Sequence, residues 1–209
     1  MKILAMEPFT IDFLLSQLRK TRLQGFHGAQ PYANIPIQLV HALDTDVLTP
    51  AQNFVLTSGV EKMLQLRAAL LVRGVDIFAL SGGIRVITSD APSEQIPVIP
   101  PIVEESCERD GRTVLLINDG MHRCYAARSL RLSISVVIVR NVPIEYPYYA
   151  YALDGGWSKV TAIEKLPDGY QRKEYRNPRN YKALFRDFNS IFPGVQKDRG
   201  FVDPGDITT

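Results

Sequence analysis

The stretch Val114-Leu115-Leu116-Ile117-Asn118-Asp119-Gly120-Met121-His122-Arg123-Cys124-Tyr125-Ala126-Ala127-Arg128-Ser129-Leu130 sets the strongest limit on what this chain can fold into. Its left end is an apolar run with the length and branching of a buried strand, and its right half has helical character, with Ala126, Ala127 and Leu130 giving a small apolar face. Asp119-Gly120 is the join. A strand that turns through glycine straight into a helix aims several backbone N–H groups at one spot, where the helix dipole also favours negative charge. That spot is an anion site. Gly120 can take a backbone angle closed to other residues and puts no side chain in the way of a phosphate. His122 and Arg123 add side-chain donors in the first helical turn, and a guanidinium there can grip phosphate in bidentate fashion.

The run Asp119-Gly120-Met121-His122-Arg123, followed by Tyr125-Ala126-Ala127, Leu130 and the strand Ile134 to Val139, resembles the core of the ParB/sulfiredoxin superfamily over roughly residues 97–142. Members carry a Gly-x-x-Arg or Gly-x-His-Arg element at a helix start and hold nucleotide phosphates with it. The Asp-Gly-x-His-Arg spelling is nearer to the nucleotide-dependent kinases of the superfamily, which phosphorylate free serine, than to its chromosome-partitioning proteins. The resemblance implies an α/β (α+β) fold, a mixed sheet with flanking helices. It further implies ATP or ADP, or else CTP, held by Gly120, Met121, His122 and Arg123. Asp119 would be catalytic, either ligating magnesium or taking the proton of an attacking hydroxyl. The kinase branch also uses an upstream glutamate; residues 75 to 97 do not follow its pattern, and Glu105 is the nearest catalytic candidate. Two departures stand out. Arg131 occupies the place where relatives end the helix with glycine, so that turn is expected to be built differently. Met121 occupies the place of the sulfiredoxin cysteine, and Cys124 lies one residue beyond the element, which argues against sulfiredoxin chemistry.

The 209 residues suffice for one full core with an elaborated flank. A hydrophobic share of 45%, a charged share of 22% and a net charge of +2 describe an ordinary folded protein, and the charge is too small to imply a nucleic-acid partner by itself. Cys107 and Cys124 read as reduced thiols, with no metal-ligand spacing. Met1 to Pro8 meets Glu7 and Pro8 before an adequate apolar stretch has formed, so it does not read as a signal peptide. Runs such as Ala68 to Val72 are far too short to cross a bilayer, and a cytoplasmic protein without membrane contact is expected.

Three regions are expected: a helical elaboration over 1–75, the nucleotide-binding core over 76–143, and an aromatic and basic extension over 144–209. Thr10 caps a helix with Ile11, Leu14, Leu15 and Leu18 at helical spacing. Residues 24–36 form an irregular loop containing His27, and Ile37 to Leu43 is a short apolar run. Thr49-Pro50-Ala51-Gln52 carries the signature of a helix start, and Ser58-Gly59 opens a second helix ending at Gly74. On that helix Arg67 either snorkels at an edge or aims inward at an anion. Asp76–Leu80 and Ile84–Thr88 read as strands about a Ser81-Gly82-Gly83 turn, Asp90–Gln95 as a linker, and Ile96–Glu105 as a proline-led edge or entry strand. Asp110-Gly111 turns a hairpin. Residues 145–157 are an aromatic loop that either stacks a base or packs over the sheet. A helix is expected from about Asn177 to Asn189, and 203–209 should fray.

Two functions follow. The first is a nucleotide-dependent phosphotransferase acting on a small hydroxyl compound such as a free amino acid. The second is a ParB-like regulator, of CTPase or nuclease type, that binds nucleotide at the same loop and DNA through the basic segment 172–186, with Arg172, Lys173, Arg176 and Arg179 as contacts.

Overall fold

A computed structural model describes residues 1–26, 28–170 and 173–192. His27, Arg172 and the tail 203–209 lie outside the described residues. The chain opens with β1 (Ile3–Phe9) and α1 (Ile11–Leu18), where the Thr10 hydroxyl accepts from the Phe13 amide as the cap the sequence announces. There follow β2 (Arg22–Leu23), β3 (Ile37–Leu43), β4 (Leu48–Thr49), β5 (Phe54–Leu56) and α2 (Thr57–Leu71). Next come β6 (Gly83–Thr88), β7 (Ala91–Val98), β8 (Ile102–Cys107), β9 (Thr113–Asp119), α3 (Met121–Ser129) and β10 (Ile134–Val139). Beyond them lie the short strands β11 (Thr161–Ile163) and β12 (Arg186–Asp187). The architecture is mixed α+β.

A five-stranded sheet in the order β3-β10-β8-β9-β4 forms the centre. β8 runs parallel to β10 and antiparallel to β9, as the Asp110-Gly111 hairpin between β8 and β9 requires. A second, antiparallel sheet has the order β1-β6-β7. The central strands bury residues on both faces, which demands a cover on each. On one side Val103, Ile117, Val136 and Ile138 pack with Leu66 and Leu70 of α2 and with Cys124, Ala126 and Ala127 of α3. On the other, Ile102, Val137 and Val139 meet Leu14 and Leu18 of α1, Tyr32, Phe188 and Phe192. Cys124 is wholly enclosed, and that burial pushes its thiol up to about 12, so it acts as a small apolar side chain. No helix among the described residues is long and apolar enough to cross a membrane.

Several local expectations give way to tertiary contacts. The segment 1–75 is only partly helical: β3 pairs with β10 and β4 with β9, so it supplies both outer strands of the central sheet. No helix starts at Thr49; Thr49 pairs with Leu116, and Pro50 and Ala51 are buried against the core. Asp76–Leu80 is a turn, not a strand, because the Asp76 carboxylate accepts from the Phe78 amide and is gripped by Arg67 at 2.8 and 2.6 Å. Arg67 thus aims inward at Asp76 and holds its carboxyl below the usual range. Asp90–Gln95 lies mostly within β7. β8 is central, since Pro100 and Pro101 precede its first paired residue and leave the ladder intact. In place of a helix over 177–189 there is a single 3₁₀ turn, Tyr181–Leu184, followed by β12. The aromatic loop is a packed layer: Tyr148 and Tyr149 are buried and the Trp157 indole donates to the Thr45 carbonyl at 3.0 Å.

The end of α3 is built in the usual way after all. Leu132 N–H reaches back to the Ala127 carbonyl at 3.0 Å, and Arg131 takes the left-handed position at φ 56°. An L side chain there costs about 1–2 kcal/mol. Arg131→Gly is therefore expected to stabilise the fold by about 1 kcal/mol, the larger unfolded-state entropy of glycine offsetting part of the relief. Chemical denaturation checks this, and an unchanged or lower midpoint contradicts it.

Candidate functional site

β9 ends at Asp119, Gly120 turns at φ 87°, and α3 begins at Met121 with no side chain capping it. Only glycine fits. A Cβ at this position would lie 2.8 Å from the Pro101 Cβ and 3.0 Å from Arg123 Nη2. The amides of Met121, His122 and Arg123 belong to the first turn, where an α-helix offers no internal acceptors. Gly120, Met121 and His122 are half-buried and so reachable from outside.

Arg123 folds back over the start of its own helix. Nη2 pairs with Asp119 Oδ2 at 3.0 Å, each side chain about 11% exposed, and Nη1 donates to the Ile99 carbonyl. Asp119 and Arg123 are thus brought together as the sequence implied, with the β7–β8 connection as their backing.

His122 is placed by something the sequence did not disclose. The Leu56 amide, at the start of α2, donates to His122 Nε2 at 3.2 Å. Gly59 makes room for the ring, since a Cβ there would fall 2.6 Å from it. Like α3, α2 starts without a side-chain cap. The two helix starts are therefore stitched together through one imidazole. Burial, followed by the nearby Arg123 charge, lowers the His122 pKa below its usual value, with Asp119 partly opposing. Neutral imidazole accepting at Nε2 carries its proton on Nδ1, so the ring is a neutral donor here.

The sign of the resulting pH dependence follows from the depressed pKa. Stability from the Leu56–His122 bond is present above the unfolded value near 6.5 and is lost as pH falls through the lower folded value. In His122→Gln the amide oxygen can still accept from Leu56 but does not titrate. Melting curves between about pH 7 and 5 should show the wild type losing more stability than this variant, and parallel profiles would contradict it.

Glu105 does not join the site. Asp119 stands opposite Ile102 on β8, whereas Glu105 lies three residues further along, about 10 Å away, and pairs with Arg140 at 3.5 Å. Its neighbour Glu104 is turned to the other face and almost fully buried. There Arg186 meets both its oxygens at 2.8 and 2.9 Å, and the Tyr32 hydroxyl and the Asn118 amide also donate to it.

Part of the basic segment is turned inward. Lys173 donates to the Tyr148 and Tyr149 hydroxyls at 2.7 and 2.6 Å. Arg176 donates to Ser106, the Cys107 carbonyl and Glu108, and its guanidinium lies 4.2 Å from the Tyr151 ring centre. Arg186 is fully enclosed. Arg179 is exposed. The charges of Lys173, Arg176 and Arg186, engaged in this way, hold the C-terminal segment in place.

No curated protein matches the chain. A family model described as the ParB CE domain does, over residues 13–161, a span that takes in the central sheet, both uncapped helix starts and the Asp119–Arg123 corner. With well over half its length matched, the chain belongs to the ParB CE domain family.

Proposed function

We propose that this ParB-domain protein holds a nucleoside di- or triphosphate with its phosphates against the start of α3 and transfers a phosphoryl group to a small hydroxyl compound such as a free amino acid. One observation carries the reading: a strand, a left-handed glycine and an uncapped helix meet with Asp119 and Arg123 side by side at the join. Phosphoryl transfer asks a protein mainly for positioning and charge stabilisation. The Met121, His122 and Arg123 amides and the neutral His122 ring supply donors, and the Arg123 guanidinium supplies the cation. Phosphate holding alone does not call for a carboxylate at this corner. Transfer does, and in this reading Asp119 takes the proton of an attacking hydroxyl.

The resemblance also implies magnesium. Among the described residues no group of three or more His, Cys, Asp or Glu side chains is arranged to hold a metal. Magnesium commonly needs only one or two carboxylates beside substrate phosphates, so the residues fit it with Asp119 as the single protein ligand. When bound it would neutralise phosphate charge.

The test is nucleotide turnover with ATP, ADP or CTP and magnesium, with and without hydroxyl amino acids. Consumption that requires an acceptor and disappears in Asp119→Asn is expected. No turnover with any acceptor, or turnover stimulated by duplex DNA instead, overturns the reading.

A further inference from the structure

The pairing at the corner raises a question of order. Arg123 Nη2 is the nitrogen that lies over Gly120, and it is the one paired with Asp119, while Nη1 is anchored to the Ile99 carbonyl. A phosphate seated on the helix start would meet that same Nη2. We infer that Asp119 and the nucleotide phosphate are alternative partners of Arg123, so that seating the phosphate is the event that releases Asp119 from the guanidinium.

The physical basis is a ligand exchange at a fixed pivot, and it rests on the nucleotide reading given above. The Ile99 carbonyl keeps the guanidinium over the helix start whichever anion it meets. A carboxylate at the start of a helix is itself a favoured anion, so Asp119 fills electrostatically the place a phosphate would take. A phosphate carries more charge and can form bidentate bonds to guanidinium, which lets it compete for the same nitrogen. The Asp119 side chain keeps about 11% of its surface exposed, which gives the carboxylate a narrow opening towards the outer side of the corner. The exchange imposes a sequence of events. While Asp119 is bridged to Arg123 through Oδ2, its charge is committed to the guanidinium and it is a poor proton acceptor. Once phosphate takes Arg123, the carboxylate becomes the base or metal ligand that the transfer needs. Nucleotide binding would then precede activation of the acceptor, limiting the reaction of a half-assembled site.

A double-mutant cycle on the full-length chain tests this, with a non-hydrolysable ATP analogue titrated in a calorimeter. Asp119→Asn should bind the analogue about tenfold more tightly than wild type, because the competing charge is gone. Arg123→Gln should bind about tenfold or more weakly, and the double variant should match Arg123→Gln, since without the arginine there is nothing to compete for. A gain that persists in the Arg123→Gln background would mean simple repulsion between carboxylate and phosphate and would overturn the exchange. Equal or weaker binding by Asp119→Asn would overturn it too, leaving Asp119 as a group that only positions the arginine. Failure of the nucleotide reading has a different signature: Arg123→Gln binds as wild type, or no variant binds. Carbon-13 NMR of the Asp119 carboxylate supplies a check that needs no arginine variant. Its resonance should move when the analogue is added to wild type, and a stationary signal at saturation contradicts the exchange.

Discussion

Arg186→Ala is expected to cost about 3–5 kcal/mol of stability, which for a chain of this length lowers the melting temperature by roughly 6–20 °C. Arg186 is fully buried, and its guanidinium faces at least five acceptors. Two are the Glu104 oxygens; the others are the Pro147, Leu184 and Tyr146 carbonyls at 3.0, 2.7 and 2.8 Å. Burial by itself would lower the Arg186 pKa, but Glu104 and then Tyr32 override it, so the net shift is upward and the cation persists. Tyr32 goes the same way, raised first by burial and then by the Glu104 charge, so it remains a protonated donor. Alanine would remove the cation paired with Glu104 among the described residues and leave its carboxylate inside the protein with the neutral Tyr32 and Asn118 donors. It would also strip three carbonyls of a partner. The pair need not be a net gain over an apolar core, however, because desolvating two charges offsets much of their attraction. The double variant Glu104→Leu/Arg186→Met should therefore recover most of the loss. Thermal melts of the three proteins decide the matter, and an alanine variant melting within a degree or two of wild type would contradict it.

Arg123→Ala should weaken nucleotide binding by about 10–100-fold, the worth of a charge-assisted hydrogen bond lost from a binding site. A structural penalty accompanies it. The Ile99 carbonyl loses this donor and Asp119 the guanidinium, and an unsatisfied buried group costs about 1–3 kcal/mol. Arg123→Lys separates the two effects, since one ammonium restores the charge but cannot reproduce the forked reach to both Ile99 and Asp119. Binding should recover only in part. Calorimetry of wild type and both variants with ATP, ADP and CTP gives the answer, and undiminished affinity in a folded Arg123→Ala protein would remove the basis for the corner as a phosphate site.

The corner was legible in the sequence because its information is local. Strand, glycine and helix are consecutive, and Asp119 and Arg123 are four residues apart, so their meeting follows from the turn. The Thr10 cap and the Asp110-Gly111 hairpin were readable for the same reason. His122 was named from its place in the helix, but its partner, the Leu56 amide, lies 66 residues earlier, and nothing in either segment points to the other. Gly59 was a faint signal, a glycine in a first helical turn where a larger residue would have blocked the ring. Thr49-Pro50-Ala51-Gln52 misled because its capping pattern was real while pairing of Thr49 with Leu116 outweighed it. Arg186 misled more deeply. It falls in the basic segment 172–186 and within the helix expected over 177–189, and the placement of Glu104 on a central strand explains why that guanidinium is brought inside instead.

The order of the central sheet has a consequence for how the protein emerges from the ribosome. β3 closes at Leu43 and its partner β10 opens only at Ile134, about ninety residues later. At roughly 5–20 residues per second, the first fifth of the chain waits about 5–18 seconds with β3 unpaired before its neighbour has been made. Through that interval the nascent segment has apolar side chains and no core to bury them in, which makes chaperone capture more important to its yield than its final stability would suggest.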